Sequence, residues 1–326
     1  MARMPRGHGL IAACLMTILA GCGGGGGSAT PAPPPTALTP DAPTAPTPDP
    51  APFTIPRAVA PAVADGPFAD VLVRCLVDPG VDGANGSCTT ATLPLLGQET
   101  DAPTLDDVMA RVLVAEPWMG EQLRAVLQRL PPETLRLFRS VTGVLVGPVR
   151  PSFYTTGTGA VYLDSLYLAR NGIELGEVDT DTPDFRAEFG DGLRFEIPFR
   201  YLSGDQPVGS GDLAVGTRQG AFLLTALVLY HELSHAADFF PPDRLAAVDR
   251  GTPIAEVRFT GERISDDLRV NLPLRSSTLR GVAGVRFLGD APTDTERSLT
   301  PEEIADAFAL DGAVDFYAYA TPFEDL

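Results

Sequence analysis

The chain has 326 residues, a formal net charge of −18 and 44% hydrophobic residues. This composition predicts a folded protein with a sizeable core and excludes a wholly disordered chain. All 24 basic residues are arginine, and no basic cluster offsets the acidic balance, which argues against a nucleic-acid partner.

The first 21 residues have the pattern of an export signal. Two arginines precede a short apolar stretch, residues 10–20, which is too short to span a bilayer. The stretch runs into Leu-Ala-Gly-Cys at residues 19–22, which resembles the lipobox of bacterial lipoproteins. The resemblance implies that Cys22 carries a lipid and that the protein is an outer-membrane lipoprotein of the cell envelope. An ordinary secretory signal is the alternative.

Residues 22–63 are rich in Gly, Ser and Pro and carry no apolar period. Such sequences are flexible or semi-extended. They predict a tether between the lipid anchor and a folded part, and a ligand for a proline-binding domain is the alternative.

Two cysteines remain outside the predicted signal and lipid site, Cys75 and Cys88. An even pair in an exported protein predicts a disulfide, and the turn-rich sequence between the two favours a closed loop. Two free thiols are the alternative.

Residues 64–140 are predicted to form a small helical region. The cap Thr104 begins a helix that is expected to reach about Glu116. A second helix is expected over Met119–Leu130, and a third from Pro131 through Phe138. Nothing in this region indicates chemistry.

From residue 141 the pattern changes to short strands. Residues 141–147 are β-branched and punctuated by glycine, and Gly159–Leu163 form an apolar run after a glycine-rich turn. A further strand is expected within Leu193–Leu202.

The apolar run of residues 220–242 contains an H-E-x-x-H motif, from His231 to His235. Residues four apart share one face of a helix, so both imidazoles can reach one metal ion while Glu232 reaches its water, as in zinc proteases. The third histidine of the chain, His8, lies in the predicted signal. The alternative is a helix with two core histidines beside a glutamate, which is costly unless each group is paired.

The run before the motif, Ala221–Tyr230, is apolar on all faces. It predicts a helix buried in the core that starts near Thr217 and ends at Pro241. It is too short for a membrane span.

Catalytic zinc usually has three protein ligands and one water. No histidine remains, so an acid or a backbone group must complete the set. Metzincins require Gly and then His or Asp at the positions of Asp238 and Pro241, which excludes that class. Asp238 is better placed to orient an imidazole than to bind metal, and a merely exposed Asp is an equal alternative.

Two later segments offer the third ligand. A helix start at residues 300–306 contains E-x-x-x-D, similar to the second helix of thermolysin-like gluzincins, which implies Glu302 as ligand. The run of residues 316–326 resembles lethal-factor-like zincins more specifically, because Tyr317 is followed seven residues later by Glu324. The sequence H-E-L-S-H-A-A-D-F is also similar to that family's H-E-x-x-H-A-x-D-F.

The second resemblance implies that His231, His235 and Glu324 bind Zn²⁺. It further implies that Glu232 is the general base and that Tyr317 assists at the oxyanion. The sequence stops at Leu326, where the family's helix continues, so a truncated chain is expected.

The implied fold is α+β, with a zincin-like domain over residues 141–326 that has a small mixed sheet and a buried active-site helix. The implied function is that of a zinc-dependent endopeptidase acting on a protein or peptide. In zincins a sheet edge strand pairs with the substrate, and Gly159–Leu163 is assigned that role from its order in the chain; an interior strand is the alternative. The competing function is a degenerate zincin-fold lipoprotein that binds an envelope partner.

Overall fold

The structure is a computed structural model that describes part of the chain. The described residues are 56, 58–77, 88–178, 186, 188–194, 202–203, 206–207, 214–259, 263–311, 313, 316–321 and 323–324. The predicted signal, Cys22 and most of the predicted tether lie outside them. The described residues belong to one compact unit.

A five-stranded mixed sheet lies at the centre of this unit. Its strands are β1 (Ala60–Pro61), β2 (Val112–Val114), β3 (Gly143–Gly147), β4 (Phe153–Thr155) and β5 (Ala160–Asp164), in the order β1-β2-β3-β5-β4. The three inner strands are parallel, and the outer strands β1 and β4 run antiparallel to their neighbours. A separate two-stranded ribbon pairs β6 (Leu202–Ser203) with β7 (Gln206–Pro207).

The helices surround the sheet and extend beyond it. They are α1 (Ala69–Leu76), α2 (Leu105–Met109), α3 (Pro117–Arg129), α4 (Gly172–Glu177), α5 (Arg218–Phe239), α6 (Ile264–Asn271), α7 (Ser277–Ala283), α8 (Asp294–Ser298) and α9 (Pro301–Ala307). Short 3-10 segments join them, among them Pro132–Ser140 and Tyr317–Tyr319. The chain is therefore a mixed α/β protein, as the sequence predicts at that level.

Both faces of the sheet are covered. Successive residues of a strand point to opposite sides, so neighbouring residues of β3 pack into different clusters. On one face Val144 and Val146 pack with α3 and with Leu229 and Leu233 of α5, and this cluster is here called the sheet core. On the other face Leu145 packs with α1. Strands buried on both faces read as continuous apolar runs.

A second core forms apart from the sheet, from α7, α9 and the segment around Tyr317–Tyr319. It contains the side chains Leu279, Val282, Ile304, Phe308, Phe316 and Tyr319. Tyr317, the first residue of the Tyr317–Glu324 pattern, belongs to the segment that forms this second core.

The predicted helix from Thr104 to Glu116 is wrong in its length. Thr104 does cap it, accepting a hydrogen bond from the N–H of Asp107, but α2 ends at Met109. Residues 112–114 form β2 instead, because they pair with β3 in the buried sheet, and the β-branched Val112 and Val114 suit a strand. The predicted helical region therefore contributes a strand to the same sheet as residues 141–164, and the third predicted helix is a 3-10 segment.

The last residues of the predicted tether also belong to the sheet, because Ala60–Pro61 form β1. The strands expected at residues 141–147 and Gly159–Leu163 are confirmed as β3 and β5. Most of the strand expected within Leu193–Leu202 lies outside the described residues.

Helix α5 begins and ends where the sequence predicts. The hydroxyl of Thr217 accepts a hydrogen bond of 3.0 Å from the N–H of Gly220, and the helix stops before Pro241. A Cβ at Gly220 would lie 2.0 Å from the carbonyl oxygen of Ala214, so the close approach requires glycine.

The expectation that α5 is buried holds for one side only. Leu229, Leu233 and Ala236 are fully buried, whereas Leu227 and Tyr230 are 36% and 38% exposed. In the described part of the chain, no helix combines the length and hydropathy that a membrane crossing requires.

The predicted disulfide is confirmed. Cys75, on α1, is bonded to Cys88, and the two Cα atoms are 5.4 Å apart. Cys88 directly precedes Thr89, which bridges to Pro253. The bond therefore fixes the end of α1 near a segment that follows α5.

Removing this disulfide should lower the free energy of unfolding. Its cysteines are 13 residues apart, and closing a loop of that size stabilises the folded state by about 3 kcal/mol. A Cys75→Ala/Cys88→Ala variant should show this loss in urea unfolding against the oxidised protein. Reduced wild-type protein is the control and should unfold like the variant, and equal midpoints for the oxidised protein and the variant would contradict the prediction.

Candidate metal centre

Helix α5 brings the two histidines of the motif together on one face. The Nε2 atoms of His231 and His235 are 3.1 Å apart, and the rings meet edge to face with centroids separated by 4.5 Å. His235 is the more buried, with 12% of its side chain exposed against 30% for His231. This is the geometry that the four-residue spacing predicts.

Glu324 lies directly against both imidazoles. Its Oε2 atom is 3.0 Å from Nε2 of His231 and 3.3 Å from Nε2 of His235. The structure therefore places the carboxylate of the Tyr-to-Glu pattern, rather than Glu302, at the motif.

The three atoms fit the requirements of a small metal ion. A tetrahedral zinc site with bonds of about 2.0–2.1 Å has its ligands about 3.3 Å apart, close to the separations of 3.0, 3.1 and 3.3 Å seen here. Moreover, Oε2 of Glu324 is buried and has no hydrogen bond of normal geometry among the described residues. A buried carboxylate oxygen in that position requires a positive charge beside it, which a metal ion held between Glu324 and the two imidazoles would supply.

The charge of Glu324 also suits metal binding. Burial opposes ionisation, but the neighbouring imidazoles of His231 and His235 outweigh it and lower the pKa of Glu324 to about 2. The carboxylate is therefore an anion at neutral pH, the form in which it binds metal. Two nitrogens and one carboxylate oxygen suit zinc, although other divalent ions accept the same ligands.

Glu232 follows His231 on α5 but faces the sheet. Its side chain is buried, and its carboxylate accepts a hydrogen bond from the backbone N–H of Tyr154 on β4. Burial raises the pKa of Glu232, and the two imidazoles oppose that rise. The sequence did not identify Tyr154, because a backbone donor leaves no signature in residue type.

Tyr317 completes the group from the second core. Its ring lies 5.6 Å from the His231 ring and 4.5 Å from the Phe287 ring, and its hydroxyl is hydrogen-bonded to Glu324. Burial, with the nearby charge of Glu324, raises the pKa of Tyr317 well above its usual range, and the charge of Arg186 acts in the opposite direction. The hydroxyl therefore stays neutral and can donate a hydrogen bond.

Two other predicted residues lie elsewhere. Glu302 is exposed in the first turn of α9, whose cap is Thr300. Asp238 is neither exposed nor bound to an imidazole, so both alternatives for it are wrong. It is buried, and its two oxygens accept hydrogen bonds of 3.0 and 2.7 Å from the N–H and hydroxyl of Ser265.

The strand beside the motif is also not the predicted one. β5, the strand at Gly159–Leu163, lies inside the sheet between β3 and β4. The hairpin partner β4 forms the edge and packs against α5. Its sequence, Phe-Tyr-Thr, follows a proline-containing turn, and the prediction missed so short a strand.

A search of known protein families, of curated proteins and of solved structures found no match to this chain.

Metal binding should depend on Glu324 and not on Glu302. Glu324→Ala should weaken zinc binding by more than about 100-fold, since loss of a mere supporting group already costs 10–100-fold. Competition with a chromophoric chelator measures this in the full-length protein, with Glu302→Ala as the matched control. Equal affinities for the two variants would remove Glu324 from the site.

Proposed function

We propose that this protein is a zinc-dependent endopeptidase with a zincin-like arrangement of helix, edge strand and third ligand. One observation carries the proposal: the metal-ligand atoms of His231, His235 and Glu324 converge beside the buried carboxylate of Glu232. If the two histidines only filled space in the core, no acid from a distant segment would be needed beside them. The contact of Glu324 with both imidazoles therefore favours a metal site.

The three ligands would hold Zn²⁺, which would supply Lewis acidity toward a water molecule and a carbonyl oxygen. Glu232 then acts as the general base, because it lies one residue from His231 and its hydrogen bond comes from the backbone N–H of Tyr154, not from a cationic side chain. The N–H of Tyr154 fixes the direction of its carboxylate. Burial favours the neutral form of Glu232, so the side chain can hold the proton that it takes from water. It can then pass that proton to the leaving amine.

In this proposal Tyr317 stabilises the charge that develops on the carbonyl oxygen. Its hydroxyl is a neutral donor beside Glu324 and His231. A donor directed at an oxygen that becomes negative stabilises the transition state more than the ground state.

The substrate in this proposal is an extended peptide bound along β4. In the described residues β4 pairs only with β5, and an extended peptide would lie along its outer edge, where the N–H of Tyr154 already binds Glu232. Because Tyr154 of this strand also holds Glu232, a peptide paired to β4 would lie next to the base.

The proposed site of action rests on a sequence resemblance. The lipobox resemblance at Cys22 supports an envelope protein held at the outer membrane, and the proposed substrates are proteins or peptides that reach that compartment.

Replacing the general base should stop hydrolysis without releasing zinc. Glu232→Gln keeps the size of the side chain and its place by Tyr154, and it should lower kcat by at least about 10²–10⁴-fold. Quenched fluorogenic peptides measure the rate, and metal analysis measures the zinc content; Glu302→Gln, on an exposed helix, is the control. Full activity in the variant would refute the mechanism, and a zinc-bound wild-type protein that cleaves no peptide would favour a binding protein instead.

Removing the Tyr317 hydroxyl should affect the chemical step selectively. Tyr317→Phe should lower kcat by about 10²–10³-fold, as expected for one oxyanion donor, with little change in KM. Because the hydroxyl also binds Glu324, zinc affinity should fall as well, by about 10–100-fold, so the rates are compared at saturating zinc. Tyr230→Phe is the control, since the Tyr230 hydroxyl binds Thr134 outside the centre. A loss confined to KM would contradict the assigned role.

A further inference from the structure

Glu324 is 89 residues from His235 in the chain, and a contact next to it fixes its segment against α5. The preceding residue, Phe323, provides the contact. Its ring stacks on the ring of Phe239, the last residue of α5, with centroids 5.5 Å apart and planes inclined by 26°. The stack joins the segment of the third ligand to the helix that carries the other two.

A single arginine covers both rings. The guanidinium carbon of Arg263 lies 5.1 Å from the Phe239 centroid and 4.9 Å from the Phe323 centroid. Both distances fall within the range of cation–π attraction. Arg263, Phe239 and Phe323 are here called the arginine clamp.

The arginine itself is fixed relative to α5. It is the residue before α6, and its guanidinium is paired with Asp266 at 3.4 Å. Two residues later, Ser265 is bound through its N–H and hydroxyl to the buried Asp238 in the last turn of α5. The start of α6 therefore cannot move away from α5 without breaking two buried hydrogen bonds.

We propose that the arginine clamp positions the Glu324 carboxylate as the third metal ligand and thereby sets the affinity of the centre. Arg263 and Phe323 are positioning residues, since neither contacts the proposed metal position. The inference rests on the metal centre proposed above. A carboxylate delivered by a fixed backbone loses little freedom on binding a metal, whereas a loose one must be ordered first.

Zinc affinity of the full-length protein tests this, by competition with a chromophoric chelator. Arg263→Gln and Phe323→Leu should each weaken zinc binding about 10-fold or more, as loss of a supporting group does, while the melting temperature of the metal-free protein stays close to wild type. Phe323→Tyr keeps the stacked ring and should restore the affinity. Arg129→Gln is the matched control, because Arg129 lies 3.6 Å over the Phe222 ring at the other end of α5.

The outcomes separate the clamp from the centre itself. If Glu324→Ala weakens zinc binding but Arg263→Gln and Phe323→Leu do not, the clamp is overturned and the centre stands. If Glu324→Ala binds zinc like wild type, the metal centre fails and the clamp fails with it. An equal loss in Arg129→Gln would also overturn the clamp, because the effect would then be a general one.

Discussion

The contact of one carboxylate with two imidazoles joins parts of the molecule that have separate hydrophobic cores. His231 and His235 belong to α5, which packs on the sheet core, and Tyr317 belongs to the second core. Glu324 follows that second core in the chain and lies against both histidines. The site therefore exists only while the two cores keep a fixed relation.

Several contacts outside the ligands maintain that relation. Asp238 holds the start of α6, and Phe239 stacks with Phe323. Within the second core, Asp311 accepts hydrogen bonds from the N–H groups of Arg275 and Ser276 and from the Tyr319 hydroxyl. That carboxylate ties the start of α7 to the 3-10 segment that carries Tyr317, so the ring beside His231 is placed by a polar network as well as by packing.

The sequence predicts well those features that depend on residues close together in the chain. The caps Thr104, Thr217 and Thr300 each act within three residues, and the spacing of His231 and His235 determines their shared face on any helix. The disulfide follows from the pairing of the only two cysteines outside the predicted signal and lipid site. The sequence indicated Glu324 only through its resemblance to a family pattern. No local signal could do so, because the whole fold determines which distant acid reaches α5.

The remaining features depend on partners far away in the chain. Residues 112–114 follow a helix cap and were predicted as helix, yet their pairing with β3 decides for a strand. Asp238 has helix spacing suited to an imidazole, but its partner is Ser265, which no local pattern indicates. Strand β4 has three residues, too few to show an alternation, and its place at the edge is a property of the whole sheet.

The hydrogen bond from Tyr154 to Glu232 has a consequence for how the proposed enzyme would choose its cleavage point. The strand that would align the substrate also holds Glu232, so each peptide bond would have a fixed distance from the Glu232 carboxylate. An extended chain advances by about 3.4 Å per residue and turns its side chains to the other face. A peptide that slips by one position on β4 would thus present a different side chain to each pocket and carry its nearest carbonyl out of reach of Glu232.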